Sequence, residues 1–271
     1  MKTLVLANQK GGVGKSAVAC QLAHYLASRG KRVLFLDLDH QGNSSGALMK
    51  NAKVTVAPFT TLQLVEAVDL PHPPEAPFVL VPGTEGLGGL ERRVAEHNKF
   101  GSNLQDFLEI ADRSFDVCLI DTNPNPDFRY AMAMAYGHYV LSPIQLNQEA
   151  IDGIRALLGH AKYGLHNIQK KMNPGLQLIG LLPNMLEPTP FQRRNLVALI
   201  KEHGKLLIRT GTEAHSFASI PTRTAIAEAQ ADGTYLGDMK KTSARDALRE
   251  VKACFEVIER QMALETHDVQ A

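Results

Sequence analysis

The stretch Asn8-Gln9-Lys10-Gly11-Gly12-Val13-Gly14-Lys15-Ser16 decides how the rest of the chain is read. It follows the apolar run Leu4–Ala7 and leads into a helical pattern over Ala17–Ser28. A glycine-rich loop in that context curls so that successive backbone N–H groups point inward at phosphate oxygens. The helix N-terminus adds its partial positive charge. Gly11, Gly12, Val13 and Gly14 make the curl, Lys15 would reach the β- and γ-phosphates, and the Ser16 hydroxyl would ligate Mg²⁺. A purely structural glycine turn has no need of both Lys10 and Lys15. The expected ligand is a nucleoside triphosphate with Mg²⁺.

Outward from this loop, Leu4–Ala7, Val33–Leu36, Phe78–Val81, Val117–Ile120, Tyr139–Ile144 and Leu178–Leu182 read as strands, apolar without alternation and so buried on both faces. Helical patterns lie between and after them, clearest at Ala17–Ser28, Glu149–Lys171 and Thr242–Met262, with a shorter one at Tyr130–Tyr136 whose Met132 and Met134 suit packing. This repetition predicts an α/β, three-layer P-loop NTPase fold: a mostly parallel sheet with helices on both faces and ligands beyond the strands' carboxyl ends. At 271 residues and 44% hydrophobic content, one domain over 1–263 is expected, with a flexible tail over 264–271. Pro71–Pro77, with four prolines, reads as an exposed connector.

Basic and acidic side chains nearly cancel, 29 against 28, so any binding to DNA or an anionic membrane must come from a local patch. Cys20, Cys118 and Cys254 lie far apart, which argues against a disulfide framework or structural zinc, and the ten histidines show no ligand spacing. No run approaches the ~18 apolar residues of a membrane span, and Met1–Ala7 is too short for a signal peptide. A cytoplasmic protein is expected.

Two acidic segments follow the second and fourth strand-like runs. Leu36-Asp37-Leu38-Asp39-His40-Gln41-Gly42-Asn43 sets two carboxylates just past a buried strand, near the expected phosphates. Phe115-Asp116-Val117-Cys118-Leu119-Ile120-Asp121 is an apolar strand ending in an aspartate, as a Walker B element requires to hold Mg²⁺ through a bound water.

With Gln9 where the general P-loop has glycine, and Lys10 added five residues before Lys15, the loop resembles the deviant Walker A motif of the ParA/MinD ATPases. The resemblance implies ATP as the nucleotide, bound by Gly11 through Ala17, and a homodimer formed on ATP binding. Lys10 would reach the partner subunit's nucleotide, as an arginine finger does. It further implies that Asp39 orients the attacking water and that Asp37 stands close to the magnesium ion. Asn184 falls where relatives contact adenine. His40 stands where the family commonly has proline, and Asn123 replaces the first proline of Asp-x-Pro-Pro. Ile220-Pro221 and Glu228-Ala229 also resemble family segments, so the likeness runs from about Lys2 to about Met262.

Asn-Gln-Lys before the glycines resembles ParA (Soj-like) more than MinD, and the acidic C-terminal end disfavours membrane docking. The resemblance implies partition of plasmid or chromosomal DNA, sequence-independent DNA binding in the ATP state, nucleoid association, and slow hydrolysis stimulated by a ParB-like adaptor. Lys241, Arg245, Arg249 and Lys252 fall on one helical face, which Lys240 and Arg223 extend. Asp246 and Glu250 flank these cations and would make the same face a solvated, salt-bridged one. Leu248, Val251, Phe255, Ile258 and Met262 form the apolar stripe that buries the helix. With no segment before the P-loop, operator-specific reading of DNA is not expected. The alternative reading is a positioning ATPase for a protein assembly, or a conjugation-associated relative. An iron–sulfur relative is disfavoured by where the cysteines fall.

Overall fold

The apolar runs become strands β1 (Lys2–Leu6), β2 (Val33–Asp37), β4 (Phe78–Val81), β5 (Val117–Asp121), β6 (Tyr139–Gln145) and β7 (Gln177–Asn184), joined by a short β3 (Thr55–Val56). The computed structural model describes residues 1–147, 150–211 and 216–264. Among these residues the strands form one sheet in the order β3-β4-β2-β5-β1-β6-β7, every pairing parallel. The helices are α1 (Lys15–Ser28), α2 (Asn43–Leu48), α3 (Thr61–Glu66), α4 (His97–Ala111), α5 (Phe128–Tyr136), α6 (Ala150–Gly159), α7 (Leu165–Lys171), α8 (Pro190–His203), α9 (Thr224–Asp232) and α10 (Thr242–Gln261).

Strand residues are apolar in succession because consecutive side chains enter different cores. Val5, Leu34, Leu36, Cys118 and Ile120 pack with Phe100, Phe107 and Tyr130 under α4 and α5. Their neighbours Leu4, Leu6, Phe35 and Leu119 pack with Leu22, Tyr25 and Phe255 under α1 and α10. The result is the expected three-layer P-loop fold. Met132, Met134 and all three cysteines are buried, the cysteines as free thiols.

Local chemistry sets several helix starts. Thr60 and Gln63 make a reciprocal capping box on α3, the Asp127 carboxylate caps α5, and Thr189 followed by Pro190 opens α8. The apolar stripe of α10 is buried as predicted, with Leu248 at its half-buried edge. Tyr25 of α1 donates its hydroxyl hydrogen to Glu259 of α10 at 2.8 Å, beside a 5.6 Å ring contact between Tyr25 and Phe255.

One expectation needs correction. The single helix expected over Glu149–Lys171 is two helices, α6 and α7, and Glu149 lies outside the described residues. A Cβ on Gly164 would come within 2.4 Å of the His160 backbone nitrogen, so the chain turns back on itself there too tightly for a side chain. The edge strand β3 went unpredicted because two exposed residues carry no periodic signal. Pro71–Pro77 runs between α3 and β4 without regular structure. Of the expected tail, Leu264 packs against the α1–α10 core, and residues 265–271 lie outside the described residues.

Candidate functional site

The glycine loop leaves β1 and is fastened from below by Asn8. Its amide nitrogen donates to the Pro143 carbonyl at 2.8 Å, and its oxygen accepts the Lys10 backbone N–H at 2.8 Å. Gly14 takes a left-handed conformation (φ 82°), and a Cβ there would stand 2.3 Å from Asn184 Nδ2. Only glycine meets both conditions. Asn184, at the end of β7, donates that Nδ2 hydrogen to the Val13 carbonyl at 2.8 Å. Lys15 is buried, and its Nζ donates to the Lys10 carbonyl at 3.4 Å. Burial lowers its pKa, while the charges of Asp121 and Asp39 pull the other way. Lys10 has a different partner, its Nζ donating to Asn147 Oδ1 at 2.9 Å.

Strand register builds the acidic part of the site. Leu6, Asp121 and Asp37 are level on the adjacent strands β1, β5 and β2. Both carboxylates are fully buried. Asp37 accepts from the Ser45 N–H and hydroxyl at 2.9 and 2.6 Å, and from the Asp39 N–H at 3.0 Å. Even so, desolvation, with the Asp121 charge added, pushes its pKa up to about 7. Desolvation also raises Asp121, against the Ser44 hydroxyl that donates to Oδ2 at 2.6 Å. Asp121 Oδ1 is buried without a hydrogen-bond partner.

A divalent cation fits this arrangement: two desolvated carboxylates, an orphaned oxygen, and the Ser16 hydroxyl at the head of α1. Among the described residues no cluster of three or more Asp, Glu, His or Cys could hold a metal alone. Two carboxylates and a hydroxyl suit an ion that completes its shell with water and phosphate oxygens, as Mg²⁺ does.

Asp39, past the end of β2, is buried and accepts the Gln41 N–H at 3.0 Å. Next to the loop a cavity of about 530 Å³ is lined by Ala17, Gln145, Asn184, Pro221, Thr222 and Arg223 among others. The structure thus brings Lys15, Asp37, Asp39 and Asp121 together under the loop, with Ala17 and Asn184 at the adjoining cavity.

The candidate cations of the α10 surface lie apart from the acidic cluster, and most have carboxylate partners. Lys241 meets Glu228 at 2.8 Å, Arg249 meets Asp246 at 3.6 Å, and Lys252 meets Glu256 at 3.7 Å. Arg223 pairs with Glu250 and also lines the cavity. Lys240 and Arg245 are exposed. Sequence reasoning missed Ser44, Ser45, Asn8 and Arg129. The adjacent hydroxyls after Gly42-Asn43 were the available signal for the serines, as groups that can satisfy buried carboxylates. Nothing local marks Arg129.

Known proteins resemble this chain in sequence and in fold. Residues 1–178 match a protein family described as an AAA domain. The chain is 34% identical over 277 residues to protein IncC of Escherichia coli, covering 97% of this chain and 71% of that one. It is 32% identical over 244 residues to the chromosome-partitioning ATPase Soj of Thermus thermophilus, covering 90% of each. Among solved structures, apo McdA of Cyanothece superposes with a TM-score of 0.75 at 21% identity, covering 95% of this chain and 99% of that one. A putative plasmid partition protein of Borrelia burgdorferi bound to AMPPNP gives a TM-score of 0.71 at 20% identity, over 96% and 99% of the two chains. These two likenesses are of fold.

Proposed function

The chain belongs to the ParA/MinD family of P-loop ATPases, and on that premise we propose that it is a partition ATPase whose Mg·ATP state is a DNA-binding homodimer. The observation that carries this reading is the pair of lysines from one loop. Lys15 is buried beside the acidic pair, whereas Lys10 reaches out to Asn147, two residues past β6. Lys15 holds the phosphates, and Lys10 is the cation offered to a second copy's nucleotide.

Ser16, with Asp37 and Asp121 behind it, would hold Mg²⁺, which when bound neutralises phosphate charge. Asp39 orients the attacking water, and its burial keeps the carboxylate in place. The cavity beside Asn184 takes the nucleoside. Hydrolysis is slow alone and quickened by a ParB-like adaptor, returning the chain to a state with weak DNA affinity. This gives a cytoplasmic protein that sits on the nucleoid while ATP is bound. Among the described residues no helix is long and apolar enough to cross a membrane.

Arg223, Lys240, Lys241, Arg245, Arg249 and Lys252 form the DNA surface. Exposed ion pairs of the kind seen there contribute about 0–1 kcal/mol each, so a phosphate can replace the carboxylate at small cost. Mixing the protein with unrelated duplex DNA tests the proposal. Binding is expected with ATP and Mg²⁺ but not with ADP, weakening steeply with salt. Binding indifferent to nucleotide would refute it.

A further inference from the structure

His40 and Asn123, the two positions where the chain departs from the family's prolines, are joined by a continuous polar chain. His40 Nδ1 lies 3.1 Å from Arg129 Nη1 and 3.3 Å from Asp39 Oδ1. Arg129 is 3% exposed and is held by Asp127, its Nε donating to Oδ2 at 3.0 Å. Asn123 Nδ2 donates to the same Oδ2 at 3.1 Å and to the Asn125 carbonyl at 3.0 Å. The other Asp127 oxygen caps α5. From the opposite side, the His40 ring packs 3.7 Å from where a Cβ would stand on Gly88, in the 3₁₀ turn Glu85–Arg92. Glu91 of that turn accepts the Phe128 N–H at 2.6 Å. The loop carrying Asp39, the 3₁₀ turn and the start of α5 therefore meet around one imidazole.

A guanidinium has only hydrogens to offer and a carboxylate only lone pairs, so Nδ1 cannot bond to both neighbours at once. With its proton on Nε2, the ring accepts from Arg129 and leaves Asp39 to its bond with Gln41.

We propose that His40 is a positioning residue for Asp39: by accepting from Arg129 it pins the loop after β2 to the first turn of α5, and so sets the neighbouring carboxylate for hydrolysis. Proline would stiffen that position through its fixed φ; here a side-chain tether to a buried arginine, itself held by Asp127, does so. Through Asp127 the tether extends to Asn123, just past Asp121, so the two acidic segments are held in one frame. The inference rests on the role of Asp39 proposed above.

Single-turnover ATP hydrolysis and nucleotide affinity, measured on Asp39→Ala, His40→Ala, His40→Asn, Arg129→Lys and the double variant His40→Ala/Arg129→Lys, test it. His40→Ala is expected to slow turnover about fivefold or more while nucleotide affinity stays within about twofold. His40→Asn, whose amide oxygen can accept from Arg129, should recover most of the rate. The double variant should be no slower than the slower single one, since both remove one bond. A slow Asp39→Ala beside a wild-type His40→Ala would overturn the tether and leave the role of Asp39 standing. A wild-type rate for Asp39→Ala would overturn both. Additive losses without rescue by asparagine, tracking a lowered melting temperature, would reduce His40 to a packing residue and overturn the proposal.

Discussion

Lys10 and Lys15 leave the same loop and meet different partners, so their substitutions should separate. Lys15→Ala removes the buried cation beside Asp121 and is expected to weaken ATP binding about 100-fold or more, read by calorimetry. Lys10→Ala should bind nucleotide normally yet fail to dimerise with ATP in sedimentation velocity. Normal ATP-dependent dimers from that variant would remove the cross-subunit role. Gly14 admits a sharper test, because both its φ and the neighbouring Asn184 amide exclude a side chain. Gly14→Ala should cost about 1–3 kcal/mol in denaturant unfolding and also lose nucleotide affinity. A fully stable variant would mean that the loop relaxes more freely than its contacts imply.

Among the elements, α10 is the one whose surface was readable but whose state was not. Its apolar stripe was legible at helical spacing, whereas the pairing of Lys241 with Glu228, and of Glu250 with Arg223, depended on where α9 and the loop before it came to rest. Lys240→Glu combined with Arg245→Glu should weaken binding to unrelated duplexes about tenfold and lower the salt slope by about two, with nucleotide affinity unchanged. An unchanged slope would move the DNA surface elsewhere. The long strands and α1 could be read from the chain because each carries its own apolar run or glycine punctuation. The break between α6 and α7 could not, since Gly159 and Gly164 look like ordinary tolerated glycines until the approach of His160 is seen. The acidic pair was legible as two separate strand ends. That Asp37 and Asp121 are neighbours follows from the β2–β5 pairing, which local sequence does not state. Arg129 was invisible for a related reason, since its contact with His40 comes from a loop distant in sequence.

For the molecule as a whole, the acidic pair links stability to pH and metal. Asp37 is pushed up to about 7, so the metal-free folded chain holds this proton more tightly than the unfolded chain. This group's contribution therefore falls as pH rises between about 4 and about 7, and stays at its lower value above that. Mg²⁺ with a non-hydrolysable ATP analogue favours the ionised carboxylates, so the rise it produces in melting temperature should be larger at pH 8 than at pH 6. Equal rises at the two pH values would argue that the cation sits away from Asp37.

The bond between Tyr25 and Glu259 makes α1 a lever with a grip at each end. Nucleotide phosphates would press on its head at Lys15 and Ser16, and its far part clasps the helix that carries the surface cations. A small roll of that rod would be felt at the cationic face without any loop having to carry the message. Tyr25→Phe, which keeps the ring and drops the hydroxyl, should quicken amide exchange along residues 250–260 and blunt the added protection expected there on ATP binding. Exchange unchanged in both states would mean that the two ends of the rod do not speak to each other.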